Sequence, residues 1–176
     1  KKENEFIKLA SKLGFESVQK LKKSVASTIK DYIINGGFIF AMCSAADSFD
    51  IALSALNVDI VESAFDGNPA DPNLSSKLNF GNTLAFENFS LYTNPMIYEY
   101  SDIDIPSSHQ SITKGAEADY FSLFEFSAKW DPVPTMLTQN HVTAINGFMG
   151  QTTGFNKSLI KKHVLIMGED PTINQA

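Results

Sequence analysis

The sequence has little of what marks several large classes of protein. Its 176 residues include a single cysteine, Cys43, so no internal disulfide can form, and the cysteine count does not indicate a redox compartment. No apolar run approaches the ~18 residues that a membrane-spanning helix needs. Lysine and arginine together number 14 against 20 aspartates and glutamates, which gives a net charge of −6. This balance speaks against a nucleic-acid surface, which needs clustered positive charge.

Motifs for metals and cofactors are missing as well. No residues have the spacing of zinc ligands, and no glycine signature for a dinucleotide or a phosphate loop is present, so we predict no metal and no cofactor. The segment FDGNPADPN (residues 65–73) places side-chain oxygens around a glycine, as a calcium loop could. Its spacing does not fit an EF-hand, and its two prolines favour a rigid turn.

The amino-terminal end also lacks a signal peptide, because Lys1 begins a charged helical pattern. An initiator methionine is absent too. We therefore expect the chain to be an excerpt of a longer protein, in which case the missing signal carries little weight.

What is present is typical of a folded domain, with 43% hydrophobic and 11% aromatic residues, and we expect one domain over residues 1–176. A short helix is predicted over residues 3–13, closed by Gly14. Ser17 fits the N-cap of a second helix that ends at Asn35 and Gly36. Lys20, Lys22 and Lys23 near its start suggest a solvated face. Its predicted apolar face consists of Val18, Leu21, Val25, Ile29 and Ile33.

The segment that follows predicts a buried strand and a third helix. Residues 38–42 form an unbroken apolar run, as in a strand covered on both faces of a parallel sheet. Residues 45–56 then show helical spacing, and further strands are predicted over residues 119–130 and 163–167. A glycine turn, a buried strand and a helix in succession are typical of a doubly wound α/β domain.

Cys43 stands at the junction between the predicted strand and the third helix. A nucleophile there would lie at the carboxyl edge of the sheet, and the helix N-terminus would favour a thiolate. A free cysteine is also among the most often buried residue types, so core packing is the alternative. Asp47 and Asp50 follow at helical spacing. They are candidates for binding in a pocket or orienting a histidine, and otherwise for capping and solvating the first helical turn.

Several long motifs resemble a known family. The stretch IKDYIINGGFIFAMCSAADSFDIALSA resembles the nucleophile region of class I glutamine amidotransferase-like domains. Together with FDGNPADPN, FSAKWDPVPTMLTQNH, GFMGQTT and SLIKKHVLIMGE, it is similar to a bacterial family typical of Bacteroidota and often labelled asparagine synthetase B. The resemblance implies a three-layer αβα sandwich of the flavodoxin-like kind with a mostly parallel sheet, incomplete in this chain. It does not imply the activity in the label, because an amino-terminal cysteine and an ATP-binding loop are missing.

The same resemblance implies catalytic candidates, with departures from the family pattern. Cys43 would be the nucleophile, but Ala41 and Ala45 stand where the class has glycines. The class also has a histidine with a glutamate two residues beyond it, and no histidine here has that neighbour: His109, His141 and His163. His141 is the best candidate of the three, although a structural role fits it too. Ser44, Asp47 and Asp50 are the binding candidates.

Two functions follow as hypotheses. The first is an atypical or catalytically inactive amidotransferase-like domain that serves as a binding or scaffold component of the cell envelope. The second is a cysteine-dependent amidase, hydrolase or amidotransferase acting on a small amide or ester, with Cys43 as nucleophile and a histidine supplied by His141 or by sequence outside this chain. Family members with export signals suggest a periplasmic or cell-surface location and protein partners there.

Overall fold

The computed structural model describes residues 2–42, 44–94, 96–97, 99–104, 120–123, 144–146 and 154–169. The chain divides into two compact units, Lys1–Ser101 and Asp102–Ala176. The first unit is helical in its described part. Its helices are α1 (Lys2–Lys12), α2 (Val18–Ile34), α3 (Ala45–Ser54) and the single turn α4 (Ser63–Asp66), followed by short 3-10 turns at Leu74–Lys77 and Phe80–Asn82.

The boundaries of α1 and α2 confirm the predictions from local sequence. After α1 the chain turns at Gly14, whose φ of +82° lies in the left-handed region that glycine adopts without steric cost. The Ser17 side chain accepts a hydrogen bond from the Lys20 backbone N–H and caps α2. The helix ends at Ile34, and Gly36 follows with a φ of +90°.

The packing of α2 differs from the predicted pattern. Ala26 is its buried residue, whereas Val25 on the predicted apolar face is half exposed. Lys23 was predicted on a solvated face, but its ammonium group donates to the Val58 carbonyl. Burial lowers the pKa of Lys23, although Asp59 and Asp71 act in the opposite direction. The apolar stem of a lysine can be buried while its ammonium group binds a polar atom. The prediction that Lys23 lies on a solvated face is therefore wrong.

The strand predicted over residues 38–42 is also wrong. These residues follow α2 as an irregular segment with no strand pairing. Most of their large side chains are well exposed, with Phe40 at 68% and Met42 at 66%. An apolar run of four to eight residues is ambiguous because its pattern does not specify a partner, and among the described residues no strand pairs with 38–42.

The core of the first unit lies around α3 and the loop after Phe80–Asn82. Leu53 is fully buried, and Phe86 and Phe89 are nearly so. The rings of Phe80 and Phe89 meet edge to face, with their centroids 4.9 Å apart. The α3 helix confirms the predicted third helix and ends two residues early, at Ser54.

The described strands belong to the second unit and are antiparallel. Strand β1 (Tyr120–Leu123) pairs with β2 (Ala144–Asn146) and with β3 (Gly168–Glu169), in the order β2-β1-β3. β1 falls within the predicted strand 119–130. The strand predicted over 163–167 is wrong, since those residues form a turn and an irregular segment before β3. The described pairings differ from the expected parallel sheet, and the three-layer sandwich stays a prediction.

A second small core accompanies these strands. Ile103 is fully buried, and its carbonyl accepts from the Asn156 N–H at 2.8 Å. Asn156 also caps the 3-10 turn Lys157–Leu159, in which Leu159 is buried. Within the residues described above, no helix of either unit is both long enough and apolar enough to cross a membrane.

Candidate functional site

Three of the five predicted site residues lie on α3 or directly before it. Ser44 is its N-cap residue, and Asp47 and Asp50 follow on the helix. The predicted catalytic pair, Cys43 and His141, lies outside the described residues. His109 lies outside them too, while His163 is an exposed residue of a turn in the second unit.

Asp50 is a buried polar group whose two carboxylate oxygens both accept hydrogen bonds. Its side chain is 1% exposed. One carboxylate oxygen accepts the Leu84 N–H at 2.7 Å, and the other accepts the Ala85 and Phe86 N–H groups at 2.7 Å each. Short hydrogen bonds from consecutive N–H groups to a carboxylate are charge-assisted and strong. Asp50 therefore anchors the loop at residues 84–86 to α3, across more than 30 residues of chain.

Asp47 lies one helical turn before Asp50, and its side chain is completely buried. Residues three apart on a helix share a face, so both carboxyl groups point into the interior of the first unit. The reading that they cap and solvate the first turn of α3 is therefore wrong. Helical spacing by itself does not distinguish a solvated face from a buried polar one.

Ser44 is exposed, and its side chain makes no capping hydrogen bond to α3. Its carbonyl accepts from both the backbone N–H and the hydroxyl of Ser48. The roles of Ser44, Asp47 and Asp50 in binding stay predictions. For Asp50, the geometry shows that both carboxylate oxygens already hold backbone donors.

The segment FDGNPADPN is a turn-rich connection, as its prolines predicted. The Asp66 carboxylate accepts the Asn68 N–H at 3.0 Å, a local turn contact. Asp71 accepts the Asp59 N–H at 2.8 Å and returns its own N–H to the Asp59 carbonyl at 2.8 Å. That first hydrogen bond is the main cause that lowers the pKa of Asp71. Among the described residues, no three potential metal-ligating acids, histidines or cysteines come together.

A cavity opens beside Asp50 on another face of α3. Its volume is about 210 Å³, and its walls come from α3 and from the segment around residues 91–100. Tyr92 donates its backbone N–H to the Tyr100 carbonyl at 2.8 Å, and Leu91 pairs with Ser101 in an antiparallel bridge. The residues that line it are Ser48, Ile51, Ile60, Leu91, Tyr92, Thr93 and Tyr100.

Comparisons with known proteins add no relative. Neither protein-family models, nor curated proteins, nor solved structures gave a match to this chain.

The site therefore rests on its own geometry. The sequence predicted site residues on α3 but gave no role to Tyr92 and Tyr100. The available signal was the aromatic richness of residues 84–100, which contain both tyrosines. A loosely alternating aromatic segment does not show which side chains face a cavity, because only the antiparallel pairing of residues 91 and 92 with 101 and 100 brings the two rings to one face.

Proposed function

We propose that this chain is an atypical, non-catalytic domain of the glutamine amidotransferase-like kind that serves as a binding or scaffold component of the cell envelope. The observation that carries the proposal is the set of hydrogen bonds that the Asp50 carboxylate accepts. The sequence analysis predicted that this carboxylate could bind in a pocket or orient a histidine. Both of its oxygens instead hold backbone N–H groups, so it supports the fold.

The segment before Cys43 supports the same proposal. A nucleophile elbow is a sharp turn from a buried strand into a helix, which holds the nucleophile in a strained, exposed position. Residues 38–42 have no strand pairing, and Phe40 and Met42 are largely exposed. Without a strand before the helix, the rigid support that this kind of catalysis uses is missing on one side of Cys43.

The envelope location and the protein partners rest on the family resemblance. The exposed apolar side chains of residues 38–42 fit a domain that works within an assembly, because large exposed apolar patches mark interaction surfaces. Cell fractionation of the natural full-length protein tests the location. Recovery in the cytosolic fraction would contradict it.

One observation favours the enzyme hypothesis as a second candidate. The α3 helix begins at Ala45, directly after the Cys43–Ser44 pair, and its N-terminal N–H groups would stabilise a thiolate. In this alternative Cys43 attacks the carbonyl carbon of a small amide or ester, and His141 takes the thiol proton and returns it to the leaving group.

The pH dependence of Cys43 alkylation separates the two hypotheses. Cys43 is the single cysteine, so iodoacetamide labelling reports one group, and Cys43→Ser is the blank. For a non-catalytic domain we expect the pKa of the Cys43 thiol not to fall below its ordinary value of about 8.5. Labelling near neutral pH should then be no faster in the folded chain than in urea-unfolded chain.

An activated thiol would contradict the proposal. Rapid labelling of the folded chain near neutral pH, many-fold above the unfolded chain, would identify a nucleophile. His141→Ala would then be expected to slow that labelling, whereas His163→Ala, which alters an exposed residue of the second unit, would leave it unchanged.

A further inference from the structure

We propose that the cavity between α3 and the Tyr92–Tyr100 pair is a binding site for a small uncharged ring compound. The proposal deepens the binding role proposed above and rests on it. It gives that role a place in the first unit and a class of ligand.

The chemistry of the cavity wall sets the charge of the ligand. Ile51 is buried, and Ile60 and Leu91 are half-buried, so one side is aliphatic. Among the described residues that line the cavity, none carries a formal charge. Moving an ion from water onto such a wall would remove its hydration without a counter-charge, so an uncharged ligand is favoured.

The two tyrosines supply aromatic surface at a fixed spacing. Because Leu91 pairs with Ser101, Tyr92 lies directly opposite Tyr100, and directly opposite residues on an antiparallel pair share a face. The rings are partly exposed, Tyr92 at 39% and Tyr100 at 58%, so solvent reaches them. Aromatic rings bind other rings in stacked or edge-on contact, and tyrosine loses little conformational entropy when it does so.

The volume limits the ligand to one ring or a fused pair. An apolar cavity of about 150 Å³ is large enough for benzene, and sites for drug-sized ligands begin at about 300 Å³. The volume of about 210 Å³ here lies between the two.

Hydroxyl groups give the site a polar preference. Ser48 lines the cavity, and its hydroxyl donates its proton to the Ser44 carbonyl, so its oxygen keeps lone pairs that can accept a hydrogen bond. A ring compound with one N–H or O–H donor matches this arrangement, because that donor gains a hydrogen bond inside an otherwise apolar site.

Hydrogen bonds of Asp50 and the burial of Ser101 hold the walls of the cavity in place. Asp50 is the residue before Ile51 on α3, and its three backbone hydrogen bonds fix the chain at residues 84–86, a few residues before Leu91. At the other end of the pairing, Ser101 is fully buried. A cavity with fixed walls loses less free energy to ordering when it binds a ligand.

Indole is a suitable probe, because it is a fused, uncharged ring pair with one N–H donor. Saturation-transfer NMR and a ¹⁵N–¹H titration of the full chain measure its affinity and place. We expect saturable binding, with shifts concentrated at the amides of the cavity lining and of residues 84–86.

Two matched variants test the place of binding. Ser48→Phe fills the mouth of the cavity from an exposed helical position. Thr28→Phe is its control, because Thr28 is also exposed on a helix and also donates its hydroxyl to the carbonyl four residues before it. We expect Ser48→Phe to weaken indole binding at least tenfold and Thr28→Phe to change it less than twofold.

A third variant avoids the risk that Ser48→Phe disturbs α3. Tyr100 is largely exposed, so Tyr100→Ala should leave the fold intact and weaken indole at least threefold. The proposal is overturned if indole shows no saturable binding to the wild-type chain, or if both phenylalanine variants, or neither, lose it. Indole titrations of Cys43→Ser keep this result separate from the alkylation test: unchanged binding in that variant supports the site whether or not Cys43 proves to be an activated nucleophile.

Discussion

Replacing Asp50 with alanine should strongly destabilise the first unit. The carboxylate is 1% exposed and accepts three backbone N–H groups, from Leu84, Ala85 and Phe86. Alanine removes the acceptor and leaves these donors without it. The loop that covers α3 and contributes Phe86 to the core then loses its anchor.

The magnitude follows from the number and type of these hydrogen bonds. One bond to a charged group contributes about 1.5–3 kcal/mol, so three would total roughly 4.5–9 kcal/mol if they were additive. Two effects reduce that sum. Leu84 and Ala85 are only half-buried, so water can replace part of the lost bonding, and removing a buried charge recovers part of its desolvation cost. We expect a loss of about 3–5 kcal/mol in the free energy of unfolding.

Asp50→Asn provides a graded version of the same test. Asparagine keeps one carbonyl oxygen, which can retain the Ala85 and Phe86 donors, but it turns an N–H₂ group toward the Leu84 N–H. Two donors then face each other. The expected loss is intermediate, roughly 2–3 kcal/mol.

Urea unfolding followed by circular dichroism measures the free energy, and amide hydrogen exchange locates the change. A change of about 1.4 kcal/mol in free energy changes an equilibrium constant tenfold. A loss of about 3 kcal/mol therefore makes the Leu84, Ala85 and Phe86 amides exchange more than a hundredfold faster. Asp31→Asn, an exposed aspartate on α2, is the control and should stay within about 0.5 kcal/mol of the wild type. An Asp50→Ala chain within about 1 kcal/mol of the wild type, with these three amides still protected, would refute the reasoning.

Three further predictions concern local features of the first unit. Ser17→Ala removes the cap on the Lys20 N–H and should cost about 1 kcal/mol by urea unfolding, whereas Ser17→Gly should cost only a few tenths. Gly36→Ala should cost about 1 kcal/mol in the same assay, because its φ of +90° strains a side chain although nothing crowds it, and Gly36→Asn should cost less; equal losses would contradict this. The Asp59 N–H lowers the folded-state pKa of Asp71, so the stability advantage of the wild type over Asp71→Asn should be complete above the unfolded pKa of about 3.9 and disappear as pH falls through the lower folded value. A carboxyl of Asp71 that titrates at its ordinary pKa by NMR would exclude that effect.

The candidate site was predictable only in part. The sequence indicated α3 and the positions of Ser44, Asp47 and Asp50, because helical spacing shows which side chains share a face. It did not predict that Asp50 binds a loop more than 30 residues away, since nothing in the spacing of a carboxylate specifies its donors. The cavity at Tyr92 and Tyr100 was missed for the same reason, as it exists only where two distant segments meet.

Sequence alone determined the elements whose causes are local. Ser17 starts α2 because its acceptor oxygen lies three residues from the N–H that it caps, and Gly14 and Gly36 end helices because they adopt positive φ without a clash. Tertiary structure decided what each exposed or apolar residue contacts. An apolar run such as 38–42 becomes a strand only where another strand offers its backbone, and a lysine such as Lys23 turns inward only where a carbonyl at Val58 receives it. Those partners lie tens of residues away, and their positions are fixed by the packing of the whole unit and not by the neighbours in the chain.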